Sequence, residues 1–207
     1  MNILLLGATG RVGSHLLKIA ENDTHTYTLF VRSPEKLPSP LPPNMGVFKG
    51  DATDRRDLQQ ALKGQDGIIS CLSTDKNNVL SIFTPLLVEE AGKKQIQRVV
   101  TVGTAGILQS RAEPDTYRFL SSESKRKTTT AAQDHLEAYQ SLAKSDLDWT
   151  IVCPTFLPDG EKTGQIRFEE DVLPENGKRV TSGDTAAFTY DVFFKNLFIQ
   201  KRVGLSE

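Results

Sequence analysis

"MNILLLGATGRVGSHLL" (residues 1–17) decides the reading of this chain. Four apolar residues, 3–6, run straight into Gly7, Gly10 and Gly13. The apolar positions then shift to Val12, Leu16, Leu17, Ile19 and Ala20, a spacing that suits one face of a helix. The order is a short buried strand, a glycine-rich turn and a helix. Glycine allows the tight turn and removes the Cβ that would hold a pyrophosphate away from the backbone. The helix start adds unpaired N–H groups and a positive dipole end, both suited to phosphate. An ordinary strand–turn–helix connection would use glycines too, so the residues around the turn must decide. As an export leader the stretch lacks a basic n-region and an apolar core of roughly 7–15 residues. No window supplies the roughly 20 apolar residues of a membrane span.

Outward from the turn, short apolar runs alternate with helical patterns. The runs are TYTLFVR (26–32), MGVFKGD (45–51), DGIISCLS (66–73), RVVTVGT (98–104) and DWTIVCP (148–154). Their β-branched, near-continuous apolar character suits parallel strands covered on both faces. Helices are expected over 54–63, roughly 77–94, roughly 129–145 and 184–197, with Asp54 capping the first and Asp184 near the start of the last. This alternation predicts an α/β fold, a doubly wound and mainly parallel sheet with helices on both faces. A single domain over 1–207 is expected. Segment 33–46 holds five prolines and reads as a loop. Segments 109–130 and 155–184 follow the fifth and sixth strands, where ligands of open α/β sheets bind; substrate-enclosing stretches are expected at about 105–130 and 155–183.

Charge and composition exclude several function classes. The 25 basic and 26 acidic residues nearly cancel, so no global field points to nucleic acid or an anionic membrane. Cys71 and Cys153 lie in apolar runs and read as reduced, buried thiols of a cytoplasmic protein. His15, His25 and His135 show no metal-ligand spacing, and no metal is expected. A monomer is expected from the modest 38% hydrophobic content, with a small homo-oligomer as the alternative.

Chemistry-bearing residues cluster at strand ends. The second strand ends in Arg32 and Ser33 rather than an acidic residue. A guanidinium there can pair with a 2′-phosphate, favouring NADP(H) over NAD(H), although an exposed arginine at a strand end is also common. Asp51, at the end of the third strand, can accept from an adenine amino group or serve as a turn aspartate. Cys71, Leu72 and Ser73 end the fourth strand, where they would pass near a cofactor's centre. Thr104 projects a hydroxyl past the fifth strand, to orient a substrate carbonyl or to satisfy its own backbone. His135 and Tyr139 lie at i and i+4 on one helix face, and either is a candidate general acid. The run Lys125, Arg126, Lys127 reads as a solvated loop. There is no G-x-S-x-G elbow, P-loop or H-E-x-x-H.

The stretches "NILLLGATGRVGSHLL", "LFVRSPEKL", "KGDATD", "RVVTVGTAG", "LDWTIVCP" and "KRVGLSE" give the whole chain a resemblance to the atypical short-chain dehydrogenase/reductase superfamily. More narrowly, it resembles the NAD(P)H-binding group of flavin reductase/biliverdin reductase B and the NmrA-like proteins. The resemblance implies a Rossmann-like domain in which Gly7, Thr9, Gly10, Arg11, Val12 and Gly13 surround the diphosphate. Arg32 would then meet the 2′-phosphate, and Asp51 and Ala52 would border the adenine. Cys71, Leu72 and Ser73 would line the cofactor, with Pro154 and Thr155 approaching the nicotinamide. Thr104 stands where the flavin reductases have a serine. The superfamily's Tyr-x-x-x-Lys pair is absent; the nearest match puts His135 at the lysine position. The expected activity is hydride transfer from NADPH to a planar conjugated acceptor: a flavin, a quinone or a tetrapyrrole-like bile pigment. The alternatives are a non-catalytic NADP(H)-binding redox sensor of NmrA-like type and a sugar-nucleotide-type epimerase or dehydratase.

Overall fold

The first apolar run forms the centre of β1 (Asn2–Leu6), and its side chains alternate between two cores. Ile3 and Leu5 face one layer, Leu4 and Leu6 the other, and all four are fully buried. A strand buried on both sides needs helices on both sides. The computed structural model describes residues 1–74, 78–124 and 128–207 and supplies them. Its order is β1, α1 (Arg11–Ala20), β2 (Thr26–Val31), β3 (Met45–Lys49), α2 (Arg55–Ala61), β4 (Gly67–Ser70), α3 (Val79–Lys93), β5 (Arg98–Val102), α4 (Thr130–Ala143), β6 (Asp148–Pro154), β7 (Arg167–Glu170), α5 (Ser182–Phe194) and β8 (Lys201–Ser206).

The eight strands form one sheet in the order β3-β2-β1-β4-β5-β6-β8-β7. Every pairing is parallel except β7 with β8. Val12, Leu16 and Leu17 of α1 pack with Phe188, Val192 and Phe193 of α5 on one face. Leu58 of α2, Phe83 and Leu87 of α3, and Leu136 of α4 pack on the other. The doubly wound α/β expectation holds. Strand order reverses between β1 and β4, which opens a crevice at their carboxyl ends. Asp54 caps α2 as expected, accepting from the amides of Arg56 and Asp57 at 2.8 and 3.0 Å. Asp184 lies in the first turn of α5 as expected, and Thr181 caps the helix; its hydroxyl accepts from the Asp184 amide at 3.0 Å.

β8 went unread in the sequence, and its composition says why. Its second residue is arginine and its fourth glycine, so the apolar run is broken. Gly204 is required because a Cβ there would lie 2.1 Å from the Val172 carbonyl oxygen. Arg202 is buried with its charge well partnered. It donates to the Ile107 carbonyl at 2.5 Å and pairs with Asp171 at 3.0 Å, and its guanidinium sits 4.5 Å from the Tyr139 ring centre. Among the described residues no helix is long and apolar enough to cross a membrane. Residues 125–127, the basic run, lie outside the described residues.

Candidate functional site: a dinucleotide cleft and an adjoining cavity

The three glycines of the first turn do different work. Gly7 has φ +74°, and a Cβ there would lie 2.5 Å from the carbonyl carbon and oxygen of Cys71, at the point where β1 and β4 part. Gly13 lets α1 approach the turn, since its Cβ would meet the Gly7 carbonyl oxygen at 2.1 Å. Gly10 is not needed for either purpose: its nearest neighbour would be the Gly7 oxygen at 3.2 Å. It caps α1 in an extended conformation and offers the first-turn amides no side-chain acceptor. A helix start of this kind, faced by a residue without a side chain, is a cradle for an anion. The residues present therefore fit a diphosphate.

Two cavities extend from this turn. One, of about 280 Å³, is lined by Thr9, Arg32, Asp51, Ala52, Leu72 and Ser73, all expected cofactor contacts. Phe30, Val79 and Ile82 also line it; sequence reading missed them because apolar residues at such positions look like core. Asp51 accepts from the Thr53 amide at 2.9 Å and its hydroxyl at 2.7 Å. These bonds, with the Arg32 charge nearby, hold its carboxyl below the usual range. Asp51 is thus a turn aspartate that also borders the cavity. Ser33 leads the 3-10 turn at 34–36 and is not among the residues lining this cavity.

The second cavity is a cleft of about 510 Å³. Gly10, Arg11 and Val12 line one side, Cys71, Leu72 and Ser73 the floor, and Thr104, His135, Pro154 and Thr155 the far end. The structure thus brings most of the expected site residues together, with Gly7 and Gly13 supporting the turn from behind. Both cysteines are free, and burial pushes each thiol up to about 12, so neither is a ready nucleophile. Thr104 accepts from the Gly106 amide at 3.3 Å, which orients its hydroxyl oxygen and leaves the proton to donate. His135 shares its helix with Asp134, whose carboxylate accepts from the amides of Leu80 and Ser81 at 3.2 and 2.8 Å and so caps α3 from across the layer.

Tyr139 is not brought to the cleft. Its ring packs edge-on against Trp149 and Tyr117 and under the Arg202 guanidinium, and burial raises its phenol. One turn along α4 separates it from His135, enough to carry it past the cleft into the core layer.

Segment 155–164 closes over the turn. Arg11 donates to the Leu157 carbonyl at 2.6 Å, Lys18 bonds Glu161 at 2.9 Å, and His15 lies 3.4 Å from Asp159 and 3.6 Å from Glu161. Asp184 anchors the same segment, accepting from Thr163 and Gly164. Arg11, expected at the diphosphate, therefore spans from the helix start to this strap. Phe156, which the sequence reading did not single out, is 63% exposed beside the cleft.

A third cavity, of about 390 Å³, adjoins the cleft. Thr104, Pro154, Thr155 and Phe156 line both spaces. Its remaining walls include Arg118, Phe119, Glu123 and Lys178, none marked by a motif.

Comparison with known proteins gives this geometry its context. The anaerobilin reductase ChuY from Escherichia coli is 25% identical over 100% of this chain and 97% of its own, with a TM-score of 0.80. The oxidoreductase YlbE from Lactococcus lactis is 25% identical over 100% and 91%, TM-score 0.79. A Bacteroides thetaiotaomicron protein provisionally named an epimerase is 25% identical over 99% and 96%, TM-score 0.86. The family model described as NAD(P)H-binding matches residues 7–196, from the first glycine of the turn to the end of α5 and just beyond. The chain belongs to the NAD(P)H-binding family.

Proposed function

We propose that the protein is an NADPH-dependent reductase acting on a planar conjugated acceptor such as a flavin, a quinone or a bile pigment. The observation that carries this reading is the shared wall: Thr104, Pro154, Thr155 and Phe156 border both the dinucleotide cleft and the neighbouring cavity. The two spaces adjoin along these residues, so flat molecules lying in them would touch face to face beside that wall, which is the positioning hydride transfer needs. The nicotinamide of bound NADPH would supply the hydride. Gly10 and the start of α1 hold the diphosphate. Arg32 offers the 2′-phosphate a forked cation, the basis for preferring NADPH to NADH. The Thr104 hydroxyl donates to an acceptor carbonyl, and His135 holds a proton at the cleft wall for the reduced product. The apolar faces of Phe156 and Pro154 exclude water from between the rings. Two free thiols suit the cytoplasm, the compartment we assign.

The test is NADPH consumption by the purified protein with FMN, riboflavin, quinones and biliverdin, with NADH in parallel. Turnover of one acceptor, faster with NADPH, is the expected result. NADPH binding without turnover of any acceptor supports instead the non-catalytic sensor, which the missing Tyr-x-x-x-Lys pair favours.

A further inference from the structure

The cavity beyond the shared wall contains an arginine whose position no fold requirement explains. Arg118 follows Tyr117 in the 3-10 turn Arg118–Leu120, its side chain only 24% exposed. Its Nε is fully buried and, among the described residues, has no hydrogen-bond partner. Glu123 forms an ion pair with it at 3.6 Å, close enough for charge attraction but too long for a hydrogen bond to Nε. A buried guanidinium N–H without a hydrogen bond is costly, and native structures rarely leave one so. The two more fully buried arginines differ. Arg98 donates to three backbone carbonyls and to Thr150, and Arg202 to the Ile107 carbonyl and Asp171.

Glu123 pairs with Arg118 only by charge, through Oε1, while its other oxygen is engaged elsewhere. It accepts from the Ser110 hydroxyl and from the Arg111 amide at 2.8 Å. Although burial would raise its carboxyl, these bonds keep it lowered and ionised. It pins the chain at 110–112 through Oε2.

A second cation, Lys178, also lines the cavity. The turn at 174–177, closed by the Gly177 amide on the Pro174 carbonyl at 3.0 Å with Asn176 at φ +57°, brings it there. Gly177 is fixed in that turn, since a Cβ would lie 2.7 Å from the Ser206 hydroxyl oxygen. Lys178 is exposed and, among the described residues, forms no ion pair, unlike its neighbour Arg179. The described lining thus has two cations against one committed carboxylate, around the aromatic rings of Phe119 and Phe156.

We infer that this cavity takes an acceptor carrying an anionic substituent, a carboxylate or a phosphate, which Arg118 binds through its fork and Lys178 helps to neutralise. The flat body of the ligand lies against the aromatic residues, and its charged arm reaches away from the shared wall. This inference rests on the acceptor-site reading above and narrows it to acidic acceptors.

The experiment compares ligand pairs that share a ring system and differ in charge. FMN against riboflavin tests a phosphate; biliverdin against its dimethyl ester tests carboxylates. Binding is read by fluorescence quenching in the presence of NADP⁺, and turnover by NADPH consumption. At least one charged member is expected to bind about 10-fold or more tighter than its neutral twin. Arg118→Gln should collapse that ratio towards one, Arg118→Lys should restore part of it, and Lys178→Glu should lower it further than Lys178→Ala. The NADP⁺ affinity of each variant, measured by calorimetry, identifies any that has misfolded. Equal binding of both members of both pairs overturns the inference, as does an Arg118→Gln variant that keeps the ratio. A charge-dependent ratio without NADPH consumption would refute the reductase reading while leaving the anionic site standing. Whichever pair shows the larger ratio separates phosphate from carboxylate recognition.

Discussion

Replacing Gly13 and Gly10 by alanine, one at a time, should separate what the turn does for the fold from what it does for the ligand. In Gly13→Ala the new Cβ would lie 2.1 Å from the Gly7 carbonyl oxygen and 2.8 Å from the Ala8 Cα. Both neighbours are backbone, so α1 must retreat from β1, opening its contacts with the sheet. Overpacking of a close-packed interior costs about 1–3 kcal/mol, and a backbone clash belongs at or above the upper end. For a chain of this size about 3 kcal/mol corresponds to a fall of roughly 6–12 °C in Tm. In Gly10→Ala the Cβ would meet only the Gly7 oxygen, at 3.2 Å, and the extended cap conformation suits alanine. The loss of a good N-cap costs about 0.5–1 kcal/mol. The methyl group, however, enters the space a diphosphate needs. Losing one hydrogen bond between an amide and a charged oxygen costs about 1.5–3 kcal/mol, or roughly 10–100-fold in NADPH affinity. Calorimetric melting and NADPH titration together read both effects. Gly10→Ala should melt close to the parent yet bind weakly, whereas Gly13→Ala should lose stability first. A Gly10→Ala protein with parental NADPH affinity would refute the cradle, and a Gly13→Ala protein with parental Tm would refute the steric argument.

Four further changes test other parts of the structure. Arg32→Ala should weaken NADPH binding by about 10–100-fold and NADH binding by much less, since it removes one charge-assisted contact to a group NADH lacks; equal losses would refute the 2′-phosphate assignment. Tyr139→Leu should destabilise the protein by about 0.5–2 kcal/mol through the lost cation–π contact with Arg202, with Tyr139→Phe near neutral in both stability and turnover; a large fall in kcat for the phenylalanine variant would return the phenol to catalysis. Asp134→Ala should cost about 0.5–2 kcal/mol by uncapping α3, read by chemical denaturation. For Asp184, burial alone would raise the carboxyl, but hydrogen bonds from Thr163, Gly164 and Thr181 outweigh it and the folded pKa is lowered. Its stabilisation is therefore complete above the unfolded pKa of about 3.9 and is lost as pH falls through the folded value. Asp184→Asn should flatten the acid limb of the stability profile below about pH 4, and an unchanged limb would contradict that sign.

The sheet was legible where apolar runs were continuous. β1 to β6 each coincide with a run that could be read without partners, and α2 to α5 with an amphipathic or capped stretch between them. β8 escaped because its burial is not apolar: Arg202 is accommodated inside by Asp171, a carbonyl and two aromatic rings, all brought by other elements. The same arginine explains Tyr139. Helical spacing correctly placed Tyr139 and His135 on neighbouring turns of α4, but spacing says nothing of what each turn faces. One turn faces the cleft; the next faces a cation delivered by β8, some sixty residues later in the chain.

This contrast follows from how each half of the site is assembled. The dinucleotide half is built from the ends of β1, β2, β3 and β4 and the start of α1, each within a few residues of a recognisable run. Its residues are local in sequence, so the glycine spacing, Arg32 and Asp51 could be read one motif at a time. The adjoining cavity has no such order. Phe119 comes from the segment after β5, Phe156 from the end of β6, and Lys178 from the loop before α5; they meet because β8 enters the sheet beside β6. The Thr155 amide donates to the Leu205 carbonyl at 3.1 Å, and the Val180 amide to the Phe156 carbonyl at 3.0 Å. The final strand thus positions one wall, and that wall in turn positions the next. A residue such as Lys178, exposed in sequence terms and set in a polar stretch, acquires a role only through those two hydrogen bonds. Loosening β8 should therefore impair the acceptor side before the cofactor side. Gly204→Ala, whose Cβ would meet the Val172 oxygen at 2.1 Å, is the sharpest way to do so. Acceptor KM should rise in that variant while NADPH affinity moves less, and a parallel loss of both would show that the two halves fold as one unit.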